Sequence, residues 1–232
     1  MAAFFPDLLE DFCDSRFLLS VCNKFHYEKG QVSVLGEVAG EMLLLMRREA
    51  FWERKKAGSL LSRSWTGGSR TLEYEAVVMS LGSGIDSLQE DYHKKGLFSE
   101  SYMLEVLSGE LLLKGYGAYN RYVKENSSQH VARYHFPGNE EDFPLEMLGE
   151  LLQDFNCQIT CNSAFCMIPK KSVLFIAEMT EDERVMCESI CMGCRNMHCP
   201  NRTEDDSPGG RMMAKMADFP LNYGYGRIFG KL

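Results

Sequence analysis

The stretch LEYEAVVMSL at residues 72–81 has the β-branched and apolar composition of a β-strand, and the turn residues GSG at 82–84 end it. A second apolar stretch, SVLFIAEM at residues 172–179, predicts another strand. A weaker strand pattern runs through residues 157–161. These segments predict a sheet built from strands that lie far apart in the chain.

Helical patterns lie between and before these strands. Apolar residues recur at helical spacing from residue 35 to residue 52 and again over residues 99–124. A third pattern, over residues 145–155, follows Pro144, which can occupy the first position of a helix. No strand leads directly into a glycine-rich turn and a long helix, as a dinucleotide-binding fold requires. We therefore predict an α+β fold.

Composition and charge narrow the class of protein further. The 232 residues are 45% hydrophobic and 25% charged, which is typical of one sizeable globular domain or of one domain with an appendage. With 25 Lys and Arg against 33 Asp and Glu, the net charge of −8 argues against nucleic acid as a partner. The acidic N-terminal stretch is unlike a signal peptide, and the longest uncharged run, residues 155–169, is too short and too polar to cross a membrane. We expect a cytoplasmic protein with no membrane partner.

Four of the nine cysteines, Cys187, Cys191, Cys194 and Cys199, fall within thirteen residues and include a Cys-x-x-Cys pair. Thiolates at this spacing suit either tetrahedral zinc or an iron–sulfur cluster, and spacing alone does not choose between them. His198 is an alternative fourth ligand. A helix over residues 181–187 would put the first two cysteines one turn apart. The other interpretation is a cysteine-rich end whose thiols are reduced and partly buried.

Three segments together resemble the activation domain of cobalamin-dependent methionine synthase, and more closely its free-standing bacterial activation subunits. They are VVMSLGSGID at residues 77–86, RYHFPGNEEDFPL at 133–145 and FCMIPKKSV at 165–173. Their order and spacing agree with the family over about residues 70–180. The free-standing relatives often carry a similar run of cysteines.

The resemblance implies a curved, mainly antiparallel sheet decorated by helices, formed by residues 1–180. It implies an accessory part of a methyltransferase system, which binds S-adenosylmethionine (SAM) in a shallow groove. The methyl group of SAM serves the reductive remethylation of a cobalamin that is held by a partner, either a methionine synthase or another corrinoid protein. The remaining chain divides into a cysteine-rich segment, residues 181–202, and a Gly- and Pro-rich tail, residues 203–232.

Candidate SAM-binding residues follow from the matched motifs. They are Arg133, His135, Pro137, Gly138, Asn139 and Asp86. Arg133 would hold the carboxylate of the ligand in a charge-assisted pair, and Pro137 with Gly138 would expose backbone groups to it. The loop departs from the family pattern, because Asn139 replaces an aromatic residue and an insertion adds Glu140 and a second glutamate.

Two other functions remain open at this point. One is a metal- or iron–sulfur-binding redox accessory of a corrinoid protein, in which the SAM groove has degenerated and the cysteine cluster is the working site. The other is a binding module whose C-terminal segment is stabilised by zinc and which performs no chemistry. Affinity for SAM would distinguish the activation subunit from both of these alternatives. Iron content and visible absorption would distinguish the redox accessory from the binding module.

Overall fold

The computed structural model describes residues 1–57, 72–182, 184–185, 187 and 189–192. The predicted tail at residues 203–232 lies outside the described residues. Cys194 and Cys199 also lie outside them.

The described residues form both helices and strands, and the strands pair in an antiparallel manner, which confirms the predicted α+β class. The strands are β1 (Ala2–Ala3), β2 (Phe51–Lys56), β3 (Glu73–Ser80), β4 (His130–His135), β5 (Thr160–Cys161), β6 (Met167–Ile168) and β7 (Ser172–Thr180). The α-helices are α1 (Pro6–Asp11), α2 (Ser15–Lys24), α3 (Val32–Glu49), α4 (Ser83–Lys94), α5 (Phe98–Asn126) and α6 (Met147–Gln153), and a short 3₁₀ helix spans Lys29–Gln31.

Five strands form one antiparallel sheet in the order β1-β2-β3-β7-β4, while β5 and β6 form a separate hairpin. The two strands that the sequence predicts most clearly, β3 and β7, are neighbours near the middle of the sheet. Their register runs from Glu73 opposite Met179 to Ser80 opposite Ser172. The antiparallel arrangement agrees with the expected fold, and the curvature of the sheet stays a prediction.

Both faces of the central strands are buried. On β3, Val77 and Met79 pack into a core formed with α1 to α5, whereas Ala76 and Val78 pack into a second core formed with α6. Successive side chains of a strand point to opposite faces, so each face of β3 serves a different core. This explains why β3 has a continuous apolar run instead of an alternating pattern.

Three parts of the sequence interpretation were wrong. Trp52 belongs to β2 and not to the preceding helix, because α3 ends at Glu49 and Ala50 is extended. Pro144 does not begin a helix: its carbonyl accepts a turn hydrogen bond from the backbone N–H of Met147, where α6 starts. The described residues of 181–187 lie in turns, bends and irregular chain, not in a helix.

None of the described helices has the length and apolar character that crossing a lipid bilayer requires.

Candidate functional site

Strand β4, at the edge of the sheet, carries two of the predicted site residues. A β-bulge interrupts its pairing with β7 between Val131 and Arg133. Because of the extra residue, Val131 and Tyr134 both pack into the core beside α5. Arg133 and His135, on either side of Tyr134, therefore point to the opposite face of the sheet. The bulge thus determines that these two side chains lie together.

Glu140 joins these side chains to the following loop. Its Oε1 atom lies 2.9 Å from Nδ1 of His135 and 3.3 Å from Nη2 of Arg133. The other imidazole nitrogen, Nε2, lies 3.1 Å from Oε2 of Glu178 on β7. His135 is buried, and the ring of Tyr74 on β3 packs edge-on against it with the centroids 6.2 Å apart. The result is a largely buried polar cluster at the edge of the sheet.

The loop after β4 holds the three remaining predicted residues of this motif. Gly138 has a φ of +82°, and its N–H donates to the carbonyl of Phe143 at 2.7 Å. A Cβ atom at Gly138 would lie 3.2 Å from Cβ of Leu145, so both the backbone angle and the space favour glycine. The N–H of Asn139 donates to the carbonyl of Phe136 at 3.1 Å. Pro137 lies in the same turn.

Asp86 lies elsewhere, in the first turn of α4. Its Oδ2 atom accepts a hydrogen bond of 2.9 Å from the backbone N–H of Lys170, and its Oδ1 atom is buried without a hydrogen-bond partner. Lys170 precedes β7 at Ser172, whereas Arg133 is paired with Glu178. At ~3.3 Å per residue these positions are about 20 Å apart along the strand. The structure therefore brings the other five predicted residues together and leaves Asp86 near the far end of β7.

Two residues of the cluster had no predicted role. The sequence indicates Glu140 only as part of a loop insertion, and it predicts no role for Glu178. The signal for Glu178 was present, because it is an acidic residue inside the apolar run of β7. Buried carboxylates require partners, so an isolated acid in a buried strand predicts a charged or hydrogen-bonding neighbour.

Asn120 on α5 makes two hydrogen bonds near the site. Its side-chain nitrogen donates to the carbonyl of Cys187 at 3.0 Å, and its oxygen accepts from the hydroxyl of Tyr134 at 2.7 Å. Burial raises the pKa of Tyr134 well above its ordinary value, so this hydroxyl is a donor at neutral pH. Asn120 thus connects α5 to the cysteine-rich segment, on the opposite face from Arg133.

Cys187, a described residue of the cysteine-rich segment, lies beside β4. The backbone N–H of Cys187 donates to the carbonyl of Val131 at 2.8 Å, and its buried thiol donates to the carbonyl of Ser189 at 2.9 Å. Cys191 is half-buried, and its N–H donates to the Ser189 hydroxyl at 3.1 Å. Within the described ranges, no group of three or more His, Cys, Asp or Glu side chains is arranged to hold a metal ion. The predicted ligand set of four cysteines stays a prediction, since two of its members are not described.

No family model and no curated protein matches the chain.

Proposed function

We propose that this chain is an activation subunit for a cobalamin-dependent methionine synthase and binds SAM at β4 and the loop that follows it. The observation that supports this most is the position of Arg133. Its side chain lies on an edge strand and is 36% exposed, and the turn at Pro137 and Gly138 follows in the same segment. A partly exposed guanidinium beside a glycine turn suits a ligand that carries a carboxylate and further polar groups.

The described residues fit this ligand in two respects. The side chain of Arg133 is partly exposed, so a ligand carboxylate can reach it and accept hydrogen bonds from the guanidinium. The positive φ of Gly138 and its close approach to Leu145 keep a side chain out of the turn, so no side chain at this position obstructs a ligand. Both features are compatible with the role that the resemblance implies for this loop.

In this proposal the chain binds and orients, and SAM supplies the methyl group when it is bound. Arg133 holds the carboxylate, and the turn at Pro137 and Gly138 offers its backbone to the rest of the ligand. The cobalamin belongs to the partner, a methionine synthase or another corrinoid protein in the cytoplasm. Because the orientation of two cofactors promotes the transfer, no general base on this chain is required.

Calorimetric titration with SAM tests this function. Replacing Arg133 with Ala should weaken binding by about 2 kcal/mol or more, because a charge-assisted pair is lost. The matched control is Arg16→Ala, which removes an exposed arginine of α2. Equal affinity of the Arg133 variant and the unmodified protein would remove Arg133 from the site, and absence of binding at millimolar SAM would contradict the proposal for the isolated chain.

A metal- or iron–sulfur-binding redox accessory of a corrinoid protein is the second candidate. Two observations favour it: Glu140 already engages Arg133, and Cys187 anchors the cysteine-rich segment to β4. Metal analysis of anaerobically purified protein should find a stoichiometric metal that is lost on replacing Cys191 and Cys194 with Ser. The exposed Cys166 provides a control substitution outside the segment. Full retention of metal in the double variant would contradict this function.

A further inference from the structure

The side chain of Glu140 contacts the guanidinium of Arg133, which the proposed function assigns to the carboxylate of the ligand. Its carboxylate is 9% exposed and lies 3.3 Å from the guanidinium of Arg133. An external carboxylate at Arg133 would therefore meet a carboxylate that is already there. The same Oε1 atom of Glu140 also contacts His135, so its position is fixed from two directions.

The backbone holds Glu140 in this position. Phe143 is completely buried in the core beside α6, and its N–H donates to the carbonyl of Glu140 at 3.1 Å. The carbonyl of Phe143 accepts from Gly138 at 2.7 Å. These two hydrogen bonds hold the loop closed around the buried side chain of Phe143. Release of Glu140 would therefore involve the whole turn that carries Pro137, Gly138 and the candidate ligand contacts.

His135 contacts Glu140 from a second direction. Each of its ring nitrogens faces a carboxylate oxygen, Nδ1 towards Glu140 and Nε2 towards Glu178. The Arg133 guanidinium and the ring of Tyr74 also face this cluster.

We infer that Glu140 is an internal competitor for Arg133, which closes the candidate carboxylate site until Glu140 is displaced. The inference rests on the proposed function for the identity of the external ligand. Displacement breaks the contacts of Glu140 with Arg133 and His135, and a ligand carboxylate then takes its place on the guanidinium. Binding at this site is thereby coupled to opening of the loop at residues 136–143.

The test compares Glu140→Gln with Glu141→Gln, which removes a neighbouring exposed carboxylate from the same loop. SAM affinity is measured by calorimetry, and backbone hydrogen exchange of residues 136–143 is measured without SAM. Glu140→Gln should bind SAM at least about tenfold more tightly, because the ligand no longer competes with an intramolecular anion. It should also exchange the loop amides faster, whereas Glu141→Gln should match the unmodified protein in both measurements.

The two measurements separate failure of this inference from failure of the proposed function. The inference would be overturned if hydrogen exchange of the loop is unchanged in Glu140→Gln. It would also be overturned if the unmodified protein binds SAM and Glu140→Gln binds it with equal affinity. If neither protein binds SAM while the loop exchanges faster only in Glu140→Gln, the proposed ligand is wrong and the intramolecular closure stands. Tighter binding that disappears in the Glu140→Gln, Arg133→Ala double variant would support both.

Discussion

At the scale of single residues, Gly82, just after β3, is a position where both the backbone angle and the available space favour glycine. Its φ is +94°, and a Cβ atom there would lie 2.4 Å from Cβ of Glu49. This close approach lets Glu49 cap α4, since its Oε2 atom accepts from the N–H of Gly84 at 2.7 Å and from the hydroxyl of Ser83 at 3.1 Å. Gly82→Ala should therefore destabilise the protein by about 2 kcal/mol or more, measured by denaturant unfolding.

Gly96 provides the control for this prediction. Its φ is also positive, +71°, but a Cβ atom there meets nothing within 4 Å. Gly96→Ala should cost only the backbone term of about 1 kcal/mol. If the Gly82 and Gly96 variants lose the same stability, the contact with Glu49 is not what constrains Gly82.

Single residues also show which parts of the site were predictable from the sequence. Arg133, His135 and the turn at Gly138 were identified because they belong to a short local motif. Their partner Glu178 was not identified, because hydrogen bonding across β4 and β7 depends on a register that the sequence does not state. Glu140 was not identified, because its contacts depend on how the loop after β4 folds back. Local motifs thus indicate a site, and strand pairing completes it.

At the scale of elements, α5 carries three glycines, which in the sequence suggest close packing. The structure supports this for Gly115 alone, where a Cβ atom would lie 3.0 Å from Sδ of the fully buried Met79. At Gly109 and Gly117 a Cβ atom would meet nothing within 4 Å. Gly109→Ala and Gly117→Ala should each raise the free energy of unfolding by about 0.5–1 kcal/mol, because alanine favours the helix. Gly115→Ala should bring no such gain, and an equal gain there in denaturant unfolding would show that Met79 does not restrict the position.

Strands β2 and β4 show why some elements were not predicted from the sequence. β2 (FWERKK) has an apolar side chain at only its first two positions. β4 (HVARYH) has its alternation broken by the bulge, so Val131 and Tyr134 share a face although three positions separate them. Alternation predicts a strand only where pairing is regular. The elements predicted well, β3, β7 and α5, are those with long apolar patterns.

At the scale of the whole molecule, the sheet separates two cores of different composition. The core beside α1 to α5 is rich in aromatic rings, and Tyr119 packs there against Phe175 and Trp52 with ring centroids 5.4 and 6.2 Å away. The core beside α6 lies under the loop that carries Glu140. The sequence predicted the apolar segments of both cores but not their division, because that depends on which face of β3 and β7 each helix covers.

Buried tyrosines give the molecule a specific response to alkali. Burial, with smaller contributions from Tyr102 and Cys22, raises the pKa of Tyr27 from 10.0 to about 12. Burial also raises the pKa of Tyr116, Tyr119 and Tyr134, and the carboxylate of Glu75 adds to the effect at Tyr119. These phenols are neutral in the folded chain and ionise more easily in the unfolded chain.

The sign of the pH dependence follows from this difference. A group whose pKa is higher in the folded state stabilises the protein fully at pH values below its unfolded pKa, which is about 10 for tyrosine. This stabilisation is lost as the pH rises through the folded pKa. The protein should therefore lose stability from about pH 10 upwards, and the buried tyrosines should ionise together with unfolding. Simultaneous ultraviolet absorbance of tyrosinate and circular dichroism measure the two events. Ionisation of all ten tyrosines near pH 10 with the helical signal intact would show that these rings are open to solvent. Coincident transitions would confirm that the aromatic core opens only when the whole sheet does.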